Sequence, residues 1–285
     1  MATRTWLDVS GDWEATANWS DATVPVTDDD VVIGSGTQDI TTNVDQNTVT
    51  LASLRIGDNY TGKIGTSSAP LKINSVDVSF AGQGSANYIR GEYVTVTVTD
   101  GAATPTMLDI FGAATSTPIT SNGITTLRVL GGRGTINIQD GTLTTLEMIG
   151  ASSTKITLAS AVDNLANITM DGGTLETSTN IGTKAIVLGG TLKVLSTATA
   201  GEIECYDGGD VKYNTSGTLT TLEMYGGTFS LLDNTAATVA ITNSTMYEGA
   251  IIRLDNSLQN VNLSNPMTIQ GGEVRFPPGS TITVA

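Results

Sequence analysis

The sequence predicts an all-β chain wound as a parallel β-solenoid, and three observations predict it. A ten-residue peptide occurs twice, glycine turns recur at near-constant spacing, and strand-like alternation fills the intervals between them. "GTLTTLEMIG" spans Gly141–Gly150 and "GTLTTLEMYG" spans Gly217–Gly226, with nine of ten positions identical. Their starting positions, 141 and 217, differ by 76.

The glycine turns supply the period. They fall at Gly131-Gly132, Gly150, Gly172-Gly173, Gly189-Gly190, Gly208-Gly209, Gly226-Gly227, Gly249 and Gly271-Gly272. From Gly131 to Gly271 there are seven intervals averaging roughly 20 residues, the length of a solenoid repeat, so a separation of 76 corresponds to four of them. The two peptides therefore take equivalent places four coils apart. Within each unit a short alternating strand leads into the turn, as at Leu146-Glu147-Met148, Ile168-Thr169-Met170 and Leu222-Glu223-Met224. A second strand follows, as in "GGTLKVL" (Gly189–Leu195) or "GGTFSLL" (Gly226–Leu232). Alternation at period two means one buried and one wet face, and Gly-Gly bends the chain through positive φ without steric cost.

One coil cannot bury its apolar face alone, so coils must stack. The simplest product is a right-handed parallel β-helix, right-handed by the usual crossover sense. The length allows about 12 coils of ~20 residues, a rod of ~60 Å at ~4.8 Å per rung. A β-sandwich with coincidental spacing is the alternative, and sandwiches lack a steady period. Upstream the period loosens. "VVIGSGTQDITTN" (Val31–Asn43), "TLASLRIGDNYTGKIG" (Thr50–Gly65) and "YVTVTVTDG" (Tyr93–Gly101) still read as strands and turns. "SFAGQGSANYIRGE" (Ser79–Glu92) and "ATPTMLDIFGAATSTPITSNG" (Ala103–Gly123) read as longer loops that leave the stack. The expected layout is an N-terminal segment, residues 1–30, then one solenoid over 31–285. Its coils are irregular over 31–123 and regular over 124–285.

Composition bounds the partners. The 285 residues carry 28 acidic and 13 basic side chains, a net charge of −15, which repels nucleic-acid phosphates. With no His, imidazole chemistry is excluded, and the single Cys205 allows no disulfide framework. The opening "MATRTWLDVSGDWE" has no apolar run after its Arg, so no secretory signal is read there. No stretch approaches a membrane-spanning length. The expectation is a chain made in the cytoplasm, partnered by neither nucleic acid nor membrane.

All three tryptophans, Trp6, Trp13 and Trp19, sit in the first thirty residues, ahead of Pro25 and Asp28-Asp29-Asp30. "GDWEATANWSDATVPVTDDDVVI" resembles the opening of bacterial surface β-solenoids, the autotransporter-type passenger and adhesin repeats. No signal peptide, translocator or anchor is read in the sequence, and as a solenoid expected to be made in the cytoplasm it is similar to the β-helical virion proteins of tailed bacteriophages. That resemblance implies a homotrimer on the virion surface, either decorating a capsid or serving as a tailspike. Capsid decoration fits better, because nearly all of the length goes into the solenoid. A bacterial cell-surface location is the alternative. As a lid over the first coil the tryptophans are core, and as an exposed cluster they bind a partner. Trp13 and Trp19 read first as lid, and Trp6 as the better candidate for partner contact. The C-terminal "PPGSTITVA" ends on a strand, which either another subunit, a host surface or a further domain covers, or the coil closes itself around Pro277-Pro278.

A few groupings of side chains could carry chemistry. Glu204 and Glu223 match in successive coils, about 5 Å apart, the separation of the two carboxyls in a retaining glycosidase. Tyr206 and Tyr225 lie near enough to stack on a sugar. The bland reading is an outward ladder of solvated glutamates, repeated at Glu147 with Arg128 one coil earlier, and it is preferred. Asp28-Asp29-Asp30, with Asp21 nearby, could gather calcium oxygens, but in a strand-like segment only Asp28 and Asp30 share a side, and a solvated turn is the preferred reading. "GGRG" (Gly131–Gly134) has no following Lys or helix and is no phosphate loop. Cys205 reads as a buried core thiol. No catalytic residue, metal or cofactor is assigned. The functional expectation is a non-enzymatic virion protein, with a glycan-reading adhesin or spike and a polysaccharide-cleaving enzyme as alternatives.

Overall fold

A computed structural model describes residues 1–66, 68–81, 87–91, 93–99, 106–111, 123–130, 133–150, 153–234, 238–254 and 260–276. The chain is a parallel β-solenoid. Every ladder between its described strands is parallel, and the one antiparallel bridge among the described residues joins Trp6 to Trp19. The only helical piece described is a 3₁₀ turn, Thr16–Asn18. No described helix is long and apolar enough to cross a membrane.

One row of Cα partners follows the first sheet: Val31, Leu54, Val78, Val96, Leu127, Leu146, Ile168, Ala185, Ile203, Leu222. This run makes nine turns between Val31 and Leu222, about 21 residues each, a usual length for a solenoid repeat. Strands Thr238–Met246 and Thr268–Ile269 continue it. The row explains the duplicated peptide. Leu146 and Leu222 lie on it four turns apart, with Ile168, Ala185 and Ile203 between them. The expected even division into a dozen coils is corrected, since the turn from Ile168 to Ala185 is little more than half the length of the turn from Val96 to Leu127. Corners absorb the difference in length while the paired strands hold register.

A second sheet stacks Ile136, Ile156, Leu175, Leu192, Val211, Phe229 and Ile252. A third, narrower sheet stacks Ile181, Ala200, Leu219 and Ile241. The residues of the second and third rows, and those of the first over Val31–Val78 and Leu127–Leu222, are buried in one core. Leu, Ile and Val alternate with Thr, Glu and Lys, so a period of two puts each apolar side chain inside. Outward charges pair across neighbouring turns, as Arg128 Nε does with Glu147 Oε2 at 2.7 Å.

Glycine is required where a coil turns against the one below. Gly190 has φ +80°, and a Cβ there would stand 2.5 Å from the Gly172 carbonyl carbon and the Gly173 oxygen. At Gly227, φ +65°, it would stand 2.4 Å from the Gly209 oxygen.

The segments expected to loop out contribute strands to the stack. Asn87–Arg90 pairs with Thr106–Phe111, which pairs with Arg133–Ile149. Alternating apolar residues in "NYIR" and "TMLDIF" can enter a coil, which the loosened spacing obscured. Residues 82–86 and 92 of the first segment, 103–105 and 112–122 of the second, Gly131-Gly132 of "GGRG" and the C-terminal stretch from Pro277 lie outside the described residues, while Ser79–Phe80 end the strand Leu71–Phe80.

At the N-terminus, Thr3–Thr5 pairs in parallel with Asp30–Gly36 and forms the first rung. Its outer edge is closed by Ser20, whose amide donates to Thr5 O and whose hydroxyl accepts from Thr5 N. The intervening residues fold over the end of the core.

Candidate functional site

Ionisable and aromatic groups gather most densely on the outward side of the first sheet, just before its glycine corners. On Ala200–Cys205 the inward residues are Ile203 and Cys205, so Glu202, Glu204 and the following Tyr206 face outward. One turn later Leu222 and Met224 are inward, and Glu223 and Tyr225 are outward. Glu204 and Glu223 are Cα partners in adjacent turns, as their spacing predicts. Carboxylate oxygens of Glu202, Glu204 and Glu223 lie within 4.8 Å of one another.

These carboxylates are already engaged. Lys184, from the preceding turn, places Nζ 2.6 Å from Glu204 Oε1 and 3.2 Å from Glu202 Oε1. The hydrogen bond to Glu204 raises the Lys184 pKa. Tyr206 Oη lies 3.3 Å from Glu204 Oε2, and Tyr225 Oη donates to Glu223 Oε2 at 2.5 Å. That bond, with burial behind it, holds the Tyr225 phenol well above its ordinary pKa. Burial, then the Glu204 charge, raises Tyr206.

The tyrosines stack on each other. Ring centroids are 4.9 Å apart for Tyr206–Tyr225 and 4.8 Å for Tyr225–Tyr247, with interplanar angles of 18° and 10°. Such spacing equals the rung repeat of a sheet, so identical side chains in successive turns become a continuous ladder. The facing ring surfaces are taken up within the ladder, and between neighbours a sugar meets edges and hydroxyls rather than an aromatic platform. The nearest carboxylate oxygens, within 4.8 Å of one another, lie just under the about 5–5.5 Å between the two carboxyls of a retaining glycosidase. Four oxygens of three glutamates, tied to one ammonium and two phenols on the outward side of the sheet, form a stabilised surface cluster.

The glutamate ladder expected to run back to Glu147 is broken. Between Glu147 and Glu204 the same outward register carries Thr169 and Ile186. Sequence reasoning missed Lys184 and Glu202, although Lys184 stands one coil before Glu202 in the same column and the period could have found it.

At the N-terminal end the three tryptophans come together as a lid. Trp6 packs edge-to-face on Trp19 at 5.1 Å and Trp13 on Trp19 at 5.0 Å, and all three are buried. Trp19 Nε1 donates to Trp13 O at 2.8 Å. Trp6, read as the residue most open to a partner, is 3 % exposed, because its strand is the first rung and its ring turns inward onto Trp19. Between Trp6 and Trp13, Leu7 and Val9 are 50 % and 60 % exposed.

The aspartate run does not gather as a cation site. Asp28 has φ +68°, which breaks the strand alternation and turns Asp29 inward. Asp29 accepts from Ala2 N (2.9 Å), Val26 N (3.2 Å) and Arg4 Nε (2.8 Å), while Arg4 also pairs with Asp21. Asp30 instead accepts from Ser53 Oγ at 2.5 Å. Asp29 fastens the lid to the first coil, a role that adjacent like charges hid from the sequence. Cys205 is buried, and burial first of all pushes its thiol up to about 12.

One polar groove of about 320 Å³ opens at a corner of the third sheet, lined by Asp163, Asn164, Thr179, Asn180 and Thr183 among others. It was not anticipated, since its residues come from two corners with no shared motif.

Fold and site together define a parallel β-solenoid with a tryptophan-sealed first coil and a carboxylate–tyrosine ladder on one edge. No protein-family model matches the chain, and neither the curated proteins nor the solved structures contain a match to it.

Proposed function

We propose that this chain is a non-enzymatic structural protein of a virion, a rigid β-solenoid homotrimer that decorates or stabilises a bacteriophage capsid surface. The observation carrying this reading is the continuity of the stack. Parallel pairings connect Thr3–Thr5 through every turn to Thr268–Ile269 and Glu273–Arg275. Backbone groups paired above and below resist local opening and proteolysis. Bound across neighbouring shell subunits, such a rod stabilises the assembled state by mass action. The sealed N-terminal end supplies the attachment surface, with Leu7 and Val9 facing outward around the lid. Co-sedimentation of the purified chain with candidate shells, followed by electron microscopy, tests the reading. Retention on shells is expected, and Leu7→Glu with Val9→Glu should reduce it without unfolding the lid. Failure to bind any shell would overturn the function, and equal binding by the double variant would move the attachment surface elsewhere.

The polar groove favours a second reading, a surface adhesin or spike that recognises glycans. Asp163, Asn164, Asn180 and Thr183 offer the carboxylate, amides and hydroxyl that pair with sugar hydroxyls. Binding on a glycan array, lost in Asp163→Ala, would favour it over the structural role. Polysaccharide cleavage centred on Glu204 and Glu223 would show as reducing ends released by the wild type and not by Glu223→Gln.

A further inference from the structure

The stacked tyrosines differ from the buried ones in what their phenols face. Tyr60 Oη donates to Gln38 O at 2.6 Å and Tyr213 Oη to Gly217 O at 3.2 Å, and a backbone carbonyl does not take up the proton it accepts in a hydrogen bond. Tyr225 Oη instead donates to a carboxylate, Glu223 Oε2, at 2.5 Å, and Tyr206 Oη lies 3.3 Å from Glu204 Oε2. Glu204 is shared with Lys184. Among the described residues no cation pairs with Glu223, which can take a proton without giving up an ion pair.

A phenol so placed is prepared to lose an electron. On losing one it becomes a strong acid, so the loss is favourable where the proton leaves as well, and a base already within hydrogen-bond reach supplies that route. The neighbouring rings add to this. Centroids 4.9 and 4.8 Å apart, with planes at 18° and 10°, set Tyr225 between two π faces that share positive charge as it forms. All three rings are partly exposed, so an oxidant in solvent reaches them. The other easily oxidised side chains nearby, Cys205, Met224 and Met246, each precede one of these tyrosines and point into the core, and the tryptophans of the lid are buried too.

We propose that the Tyr206–Tyr225–Tyr247 ladder is the chain's site of one-electron oxidation, a radical relay that serves one-electron oxidants acting at the protein surface. In the first step an electron leaves Tyr225 for the oxidant, which is reduced by one electron, and the phenolic proton crosses to Glu223 Oε2. A neutral phenoxyl radical remains beside a protonated carboxyl. The radical passes to Tyr206 when an electron moves from that ring to Tyr225, Glu223 returns its proton to Tyr225 and Tyr206 gives its own to Glu204. Tyr247 extends the stack on the other face. The relay is independent of the proposed function, since it needs neither a shell nor a second copy.

Photo-oxidation of the full chain with a ruthenium tris-bipyridyl complex and persulfate, freeze-quenched and read by electron paramagnetic resonance, tests it. A tyrosyl signal is expected. Tyr225→Phe keeps the ring and loses the phenol, and should remove most of that signal, while Tyr60→Phe should leave it unchanged. Glu223→Gln keeps an acceptor that takes no proton. It should slow radical formation by about tenfold or more and abolish the slowing that D₂O imposes on the wild type. Tyr247→Ala strips one face of the stack, leaves the Tyr225–Glu223 pair, and should lower the yield. Circular dichroism should match the wild type in each variant, so that a lost fold does not mimic lost oxidation. A signal indifferent to Tyr225→Phe, a rate and isotope effect indifferent to Glu223→Gln, or a yield unchanged in Tyr247→Ala would each overturn the proposal. So would oxidation mapped by mass spectrometry to the lid tryptophans, Cys205 or Met224 in place of the ladder.

Discussion

Replacing Asp29 by Asn should detach the lid from the solenoid without unfolding the solenoid itself. Asp29 is 2 % exposed and receives two backbone N–H donors and the Arg4 guanidinium. An Asn keeps the shape but not the charge, and its amide nitrogen turns a donor towards one of those three donors. Losing charge-assisted bonds at about 1.5–3 kcal/mol each, with Asp21 still holding Arg4, costs the lid about 3 kcal/mol. The assay is selective, because the chain's three tryptophans all lie in the lid. Urea unfolding followed by tryptophan emission reports the lid, while far-ultraviolet circular dichroism reports the stack. In Asp29→Asn the emission transition should move to lower urea and separate from the dichroism transition. The pH dependence follows the same group. Burial alone would raise the Asp29 pKa, but the bonds from Arg4, Ala2 and Val26 outweigh it and lower the value below its unfolded-state one. The stabilisation is therefore present above the unfolded carboxylate pKa of ~3.9 and lost as pH falls through the lower folded value. Wild-type lid stability should fall in that acid window, and the variant should lack this component. Coincident transitions in both proteins, shifted by less than ~0.5 kcal/mol, would refute this account of how the lid is held.

Leu146→Ala and Leu222→Ala should each cost about 2–5 kcal/mol in urea unfolding, with similar values for the two, since both leave a cavity on one interior row. Gly190→Ala should destabilise far more than Gly150→Ala: both residues have positive φ, but a Cβ at Gly190 meets backbone at 2.5 Å and one at Gly150 meets nothing within 4 Å. Melting curves of the two variants check that order. Ultraviolet titration should show the phenols of Tyr60, Tyr213 and Tyr225 ionising well above the ordinary ~10 in the wild type, and of these three Glu223→Gln should bring down Tyr225 alone, since burial is what raises the other two. The stabilisation tied to Tyr225 is present below its unfolded pKa and is lost as pH rises through the folded value.

Period and alternation were legible because a solenoid writes its architecture locally: each coil must bury its own inward residues against the next. Leu146 and Leu222 fell on one row for that reason, and Glu204 met Glu223. Individual coil lengths were not legible, because pairing fixes strands and leaves corners free to vary from turn to turn. The strand Thr106–Phe111 was hidden the same way, alternating but set between uneven intervals. Asp29 escaped because one positive-φ residue, Asp28, reverses which side chains face inward. Trp6 was misplaced for a related reason: its proximity to the chain start suggested a free arm, yet Thr3–Thr5 is already a rung.

Parallel in-register stacking has an electrostatic consequence that composition alone conceals. A repeated sequence sets like residues above one another, so an acidic repeat stacks carboxylate on carboxylate about 4.8 Å apart. The described turns avoid this by interleaving cations along the axis. Arg128 bridges to Glu147 one turn on, Lys155 and Lys193 reach Glu176 from below and above, and Lys184 reaches Glu202 and Glu204. Where Glu204 and Glu223 do fall in register, the ladder supplies phenols instead, Tyr206 to one and Tyr225 to the other. The residue two places after each glutamate thus serves twice, pairing its phenol with a carboxylate that would otherwise repel its neighbour and stacking its ring in the tyrosine ladder. Duplication of "GTLTTLEM" is tolerated because the coil between its turns is not a third copy. Four turns apart, Glu147 and Glu223 lie too far along the axis to repel each other strongly through water and salt.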